Sequence, residues 1–218
     1  MNFVNLIQLI TFSRTKTVYD RQKFIKGSRK YDLYKQAKET LGGGDLKKAV
    51  LLPQDQNVND WIAVHVVDFR NKLNLFHGLV QEQCTEETCP IMNAGPQWEY
   101  HWITKKKQKP QKLSAPEYIS KLIEWVDNQI DDPRYFPEET NKYPRSWKNK
   151  ICKPIFRRLF RILGHIYYNH FATIREKGAE AHLNTLLIHF VYFARQFSLM
   201  EQKDYLPMKE LIVRFCQN

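Results

Sequence analysis

Between Val58 and Val80 the apolar residues Val58, Ile62, Val66, Phe69, Leu73, Phe76 and Val80 recur at steps of three or four. A stripe sustained that long commits the segment to an amphipathic helix, expected over Val58–Gln83. Asn57 or Asn59 can cap its start, and Pro90 forbids its continuation beyond Cys84-Thr-Glu-Glu-Thr-Cys89. With only 8 glycines in 218 residues, the chain is not a turn-rich β protein.

Other helices follow from the same signals. Ser28 can cap a helix over Arg29–Leu41, ended by Gly42-Gly43-Gly44. Ser114 and Glu117 form a capping box, with Pro116 in the first turn, before an apolar face of Ile119, Leu122, Ile123, Val126 and Ile130. Residues 131–146 hold three prolines and are expected as an ordered loop, kept down by Tyr135 and Phe136. Helical patterns then run from Ile151 to about Glu176, over Ala179–Met200 and over Leu206–Cys216. Alternation in Gln97–Trp102, with Trp98, Tyr100 and Trp102 on one face, predicts a short strand, with Pro110–Leu113 returning as its partner. The expected fold class is all-α: a helical bundle with a four-helix core, peripheral helices and one small β-hairpin. Residues 1–26 are expected as a flexible basic arm, and 27–218 as a single helical domain. The apolar start, MNFVNLIQLITF, is too short to span a bilayer and lacks a basic leader, so neither an anchor nor a signal peptide is expected.

Charge narrows the partners. The 34 Lys+Arg against 23 Asp+Glu give a net +11, which favours nucleic acid, anionic membrane, phosphorylated protein or acidic peptides. Arg157, Arg158 and Arg161 fall within an arc of about 100° on the Ile151 helix. No acidic residue lies between Glu139 and Glu176, so these guanidiniums have no partner on their own helix. Their planar forks suit phosphate or carboxylate oxygens, and they form a candidate anion site.

Four cysteines are too few and too oddly spaced for a disulfide framework, which points to a reducing compartment. Cys84 and Cys89, with His165 and His170, supply two thiolates and two imidazoles, a donor set suited to tetrahedral Zn2+. Four protein ligands leave no open position, so such a site would be structural. Residues five apart on a helix are turned about 140° from one another, so the helix must tighten or bend between the histidines, and Gly164 offers slack for it. The spacing equally fits two core histidines and two buried thiols. His65, His77, His101, His182 and His189 have no partner at ligand spacing and are taken as surface or core residues.

In this order, LGGGDLKKAVLLP, NDWIAVHVVDF, QCTEETCPIMNAGPQWEYHW, LSAPEYISKLIEWVDNQIDD, RRLFRILGHIYYNHF and AEAHLNT resemble the Mob family (Mps-one-binder kinase activators), from about Gly27 to Leu211. The resemblance implies a helical bundle with a structural zinc on Cys84, Cys89, His165 and His170. It implies a non-enzymatic adaptor or co-activator of NDR/LATS-class AGC kinases in Hippo-type and mitotic-exit signalling. Phosphothreonine segments of upstream Ste20-like kinases or scaffolds would dock on Arg157, Arg158 and Arg161. A second surface for the kinase would use Asp60, Trp61 and Asp68, with Gln56 standing where the family has an acid. Thr17 and Thr40 match positions that are phosphorylated in some members. A cytoplasmic monomer, with the nucleus as a second location and no small-molecule substrate, is the corresponding expectation. The alternative is a basic, zinc-stabilised module for nucleic acid or anionic membrane, motivated by the net charge and the Lys105–Lys112 run. A zinc hydrolase would need three ligands, an open position and a general base, and the chain has no HExxH-like motif.

Overall fold

Asn57 is extended, and its side-chain oxygen accepts from the backbone of Asn59 and Asp60 at 2.8 and 3.4 Å, so the long helix starts where the polar loop ends. A computed structural model describes residues 22–40, 44–103 and 109–216. Its helices, in chain order, are α1 (Arg29–Thr40), α2 (Leu46–Ala49), α3 (Val58–Val80), α4 (Ala115–Asp131), α5 (Lys153–Asn169), α6 (Phe171–Glu176), α7 (Glu180–Gln196) and α8 (Lys209–Phe215). A π-helical turn, Lys148–Cys152, leads into α5, and a 3-10 turn, Gln202–Met208, precedes α8.

α3 is the axis. It is buried on nearly every side, and α1, α4, α5, α6 and α7 pack around it. Such a helix carries polar residues inside, and each needs a partner. Arg70 on α3 donates from Nε and Nη2 to the two carboxylate oxygens of Asp127 on α4, at 2.8 and 2.7 Å. His65 on α3 and His189 on α7 lie together, ring centroids 5.4 Å apart, walled by Phe69 and Phe193. The Ser28 cap forms, its hydroxyl accepting from Tyr31 N at 3.2 Å, and Ser114 accepts from Glu117 N at 3.4 Å. Phe136 is buried against Trp147 and fastens the proline-rich loop as expected. Among the described residues no helix is long and apolar enough to cross a membrane.

The expected β-hairpin does not form. The described residues contain no sheet and two isolated antiparallel bridges, Asn93 with Glu99 and Trp102 with Gln111. Gly95, at φ +82, turns the chain back on itself, a conformation open to glycine. Ala94 N then donates to Trp98 O at 2.9 Å, and Tyr100 N to Met92 O at 2.8 Å. Trp98–Trp102 therefore divides its hydrogen bonds between two partners instead of pairing along one. Trp102 keeps a reciprocal pair with Gln111, at 2.8 and 3.0 Å. Thr17 and the lysines at 105–107 lie outside the described residues, and Thr40 is the last residue of α1.

Candidate metal centre and basic face

Two loop ends and one helix break bring four donors together. Cys84 ends the turn after α3, its N–H donating to Val80 O at 2.8 Å. The next residues close into a tight loop: Thr88 Oγ1 donates to Gln83 O at 2.6 Å, and Cys89 N to Thr85 O at 2.9 Å. That loop aims both thiols at the end of α5.

His165 lies in the last turns of α5, and His170 lies beyond its end. The predicted single helix to Glu176 breaks at His170, which takes φ −133 and ψ 13 between α5 and α6. The break removes the 140° conflict, and Gly164 has a different role from the slack expected of it. A Cβ on Gly164 would stand 3.0 Å from the Ala94 side chain, so the glycine lets the 92–95 segment lie against α5. The same segment gives its Asn93 carbonyl to His165 Nδ1 at 2.9 Å, which turns Nε2 toward the thiols. Gly164→Ala is expected to cost about 1–2 kcal/mol through this crowding and to weaken metal retention along with stability. Denaturant unfolding with a metal assay checks both.

Cys84 Sγ lies 3.5 Å from His165 Nε2, and Cys89 Sγ 3.4 Å from His170 Nε2. All four donor atoms fall within 4.8 Å of one another, and all four residues are buried. Tetrahedral bonds of Zn–S and Zn–N length separate sulfur from nitrogen by about 3.6 Å, so the cluster fits a metal ion of that kind. Burial pushes the Cys84 thiol up, with Cys89 adding to it. Burial pulls His165 down to about 4 and also lowers His170. A bound cation reverses this for the thiols, stabilising the thiolate form.

One turn back along α5 sit the arginines. Arg158 donates from Nη2 to Ile103 O at 2.7 Å, and its guanidinium lies 4.4 Å from the Trp125 ring centre and 4.9 Å from that of Trp102. Arg161 donates from Nη1 to Tyr118 Oη at 2.6 Å, its guanidinium 4.9 Å from the Tyr100 ring centre. Arg157 makes no hydrogen bond or ion pair with any described residue. None of the three has a carboxylate within ion-pair distance among the described residues. Tyr118, Trp125 and the Asn93 carbonyl went unread in the sequence. Tyr118 and Trp125 are seven apart on α4, on one helical line, a signal that was available. Nothing in a sequence marks out one backbone carbonyl.

The third predicted group is not a surface. Asp60, Trp61 and Asp68 are 2%, 1% and 1% exposed. Asp60 accepts from Tyr143 Oη at 2.7 Å and pairs with Lys30 at 3.1 Å. Asp68 pairs with Lys72, and Trp61 Nε1 donates to Val50 O at 3.2 Å. All three lie inside because α3 is the axis and not an outer helix, and Asp68 Oδ1 is buried there with no hydrogen-bond partner among the described residues. Gln56 accepts from Arg29 Nε at 3.2 Å. Three apolar side chains remain outside at this end, Leu51, Leu52 and Val58, beside the exposed Gln54 and Asp55. Leu51, Leu52, Pro53 and Trp61 help line a groove of about 210 Å³ there.

A family model described as Mob1/phocein matches residues 38–208. The chain belongs to the Mob1/phocein family. Among curated proteins, MOB kinase activator 3C of Bos taurus is 43% identical over 208 residues, covering 94% of this chain and 96% of that protein. MOB kinase activator-like 1 homolog B of Dictyostelium discoideum is 44% identical over 209 residues, covering 95% and 96%. Human MOB kinase activator 3A is 41% identical over 208 residues, covering 94% and 95%. As a Mob1/phocein protein the chain is a regulator and not an enzyme.

Proposed function

We propose that this Mob1/phocein protein is a zinc-stapled adaptor that binds and activates a protein kinase while its arginine face holds phosphothreonine segments of an upstream kinase or scaffold. The relatives' names as kinase activators support the first half. One observation carries the second: three guanidiniums within about one helical turn, with no ion-pairing carboxylate among the described residues, two of them oriented by neutral groups alone. Three such cations lower one another's tolerance for charge, and a doubly charged phosphate relieves that. The kinase is proposed to be of the NDR/LATS class and the phosphopeptide source a Ste20-like kinase or scaffold, as the sequence resemblance implies. The docking edge for the kinase in this reading is the apolar patch of Leu51, Leu52 and Val58. Trp61 backs the neighbouring groove from inside, and the buried Asp60, Trp61 and Asp68 make no direct contact. Zn2+ on Cys84, Cys89, His165 and His170 would fix the arginine-bearing helix to the end of α3.

The test is titration of matched phosphothreonine and unphosphorylated peptides. Wild type is expected to prefer the phosphorylated form, and Arg157→Ala/Arg161→Ala to lose about tenfold or more of that affinity. Equal binding by wild type and the double variant would sink the anion site.

A further inference from the structure

We propose that Trp125 is a positioning residue for the anion site: with Trp102 it forms an aromatic slot that holds Arg158 in one orientation before any ligand arrives. The inference rests on the anion-site reading and adds how the site keeps its shape. An arginine on a free helix face samples many rotamers, and ordering it on binding costs affinity. Here that ordering is built in. The Arg158 guanidinium lies 4.4 and 4.9 Å from the Trp125 and Trp102 ring centres, and its Nη2 is anchored on the Ile103 carbonyl at 2.7 Å. Its Nη1 is buried with no hydrogen-bond partner among the described residues, which costs stability. Burial pulls Arg158 below its ordinary range, with Arg161 and Arg157 adding to the shift. Its charge is therefore poorly compensated where it stands. Stacking against two indole faces offsets part of that.

The slot's two walls differ. Trp102 is buried and packs edge-on against Tyr118, so removing it would damage the core. Trp125 is half-buried at the edge of the inner face of α4, packed against the core, while Leu122, Val126 and Ile130 are fully buried there. Trp125 is therefore the wall that can be altered with the fold kept. A leucine there removes the aromatic face, and a phenylalanine preserves it.

The experiment measures phosphothreonine-peptide affinity for Trp125→Leu, Trp125→Phe, Arg158→Lys and the Trp125→Leu/Arg158→Lys double variant, with thermal unfolding of each. Trp125→Leu is expected to weaken binding about tenfold, and Trp125→Phe to stay within about twofold of wild type. Arg158→Lys keeps the charge but not the flat face, so it should fall with Trp125→Leu. The double variant should be no weaker than the worse single, because both changes break one contact. Wild-type affinity in Trp125→Leu, or losses that add in the double variant, would overturn the proposal. Should Trp125→Leu fail to fold, the ranking of Trp125→Phe above Arg158→Lys decides: the reverse order overturns it. If wild type itself binds phosphorylated and unphosphorylated peptides alike, the anion site falls and takes this inference with it.

Discussion

Cys84→Ser is expected to destabilise the protein by on the order of 5 kcal/mol and to abolish metal binding. The reason is positional. Cys84 and Cys89 lie in the turn after α3, and His165 and His170 at the far end of α5, 81 residues on in each pair. A metal held by all four closes that separation in the folded state alone, so its binding free energy becomes folding free energy. Serine leaves three buried donors facing one another without a shared cation. A strong chelator should bring wild type down to the variant's unfolding midpoint and leave the variant unchanged. The arginine face should weaken in parallel, because His165 lies four residues after Arg161 on α5. Native mass spectrometry for the metal, denaturant unfolding and phosphopeptide titration report the three effects separately. If Cys84→Ser matches wild type in stability and chelator has no effect on either, the cluster is four packed core residues and nothing more.

Local signals carried much of this fold. Spacing of apolar residues located α3, and side-chain oxygens at Asn57, Ser28 and Ser114 placed helix starts within a residue, because caps act over three or four residues of chain. The four donor residues were legible by type and spacing. The break at His170 that lets them converge was not, since no glycine or proline marks it. The hairpin failed for a related reason: alternation in Trp98–Trp102 states which residues point one way, but not which segment takes the hydrogen bonds, and the turn at Gly95 claims half of them. Asp60 and Asp68 show the same limit. The family resemblance implied an outer surface there, and what put them inside is the encirclement of α3 by five other helices, a tertiary fact. Arg158 and Arg161 were found as cations, yet the rings that orient them come from segments far off in the chain.

The second large expected effect lies away from both sites, at the seam of α3 and α7. His65 and His189 are fully enclosed there. His65 Nδ1 lies 2.9 Å from the Trp61 carbonyl, and both ring nitrogens of His189 are buried with no hydrogen-bond partner among the described residues. Aromatic rings make up most of the surroundings, with Asp68 and Lys72 as the charged neighbours from α3. Burial pulls His65 down to about 4, Asp68 opposing and Lys72 adding to the shift, and it pulls His189 well below its ordinary range. The folded state therefore binds these protons later than the unfolded chain does. Stability from this source is full above about pH 6.5 and falls as the pH drops, at up to about 1.4 kcal/mol per pH unit for each histidine. For His65 the loss totals about 3 kcal/mol by the time the folded site titrates near 4. His189→Phe should lose less stability than wild type between about pH 7.5 and pH 5, by up to about 2 kcal/mol. At the higher pH it should be neutral or stabilising, because it exchanges two unpartnered nitrogens for one more ring between Phe69 and Phe193. Acid release of a metal is common to both proteins and cancels in the comparison. Denaturant unfolding at the two pH values measures the difference, and parallel pH dependence in wild type and variant would show that His189 is not buried neutral.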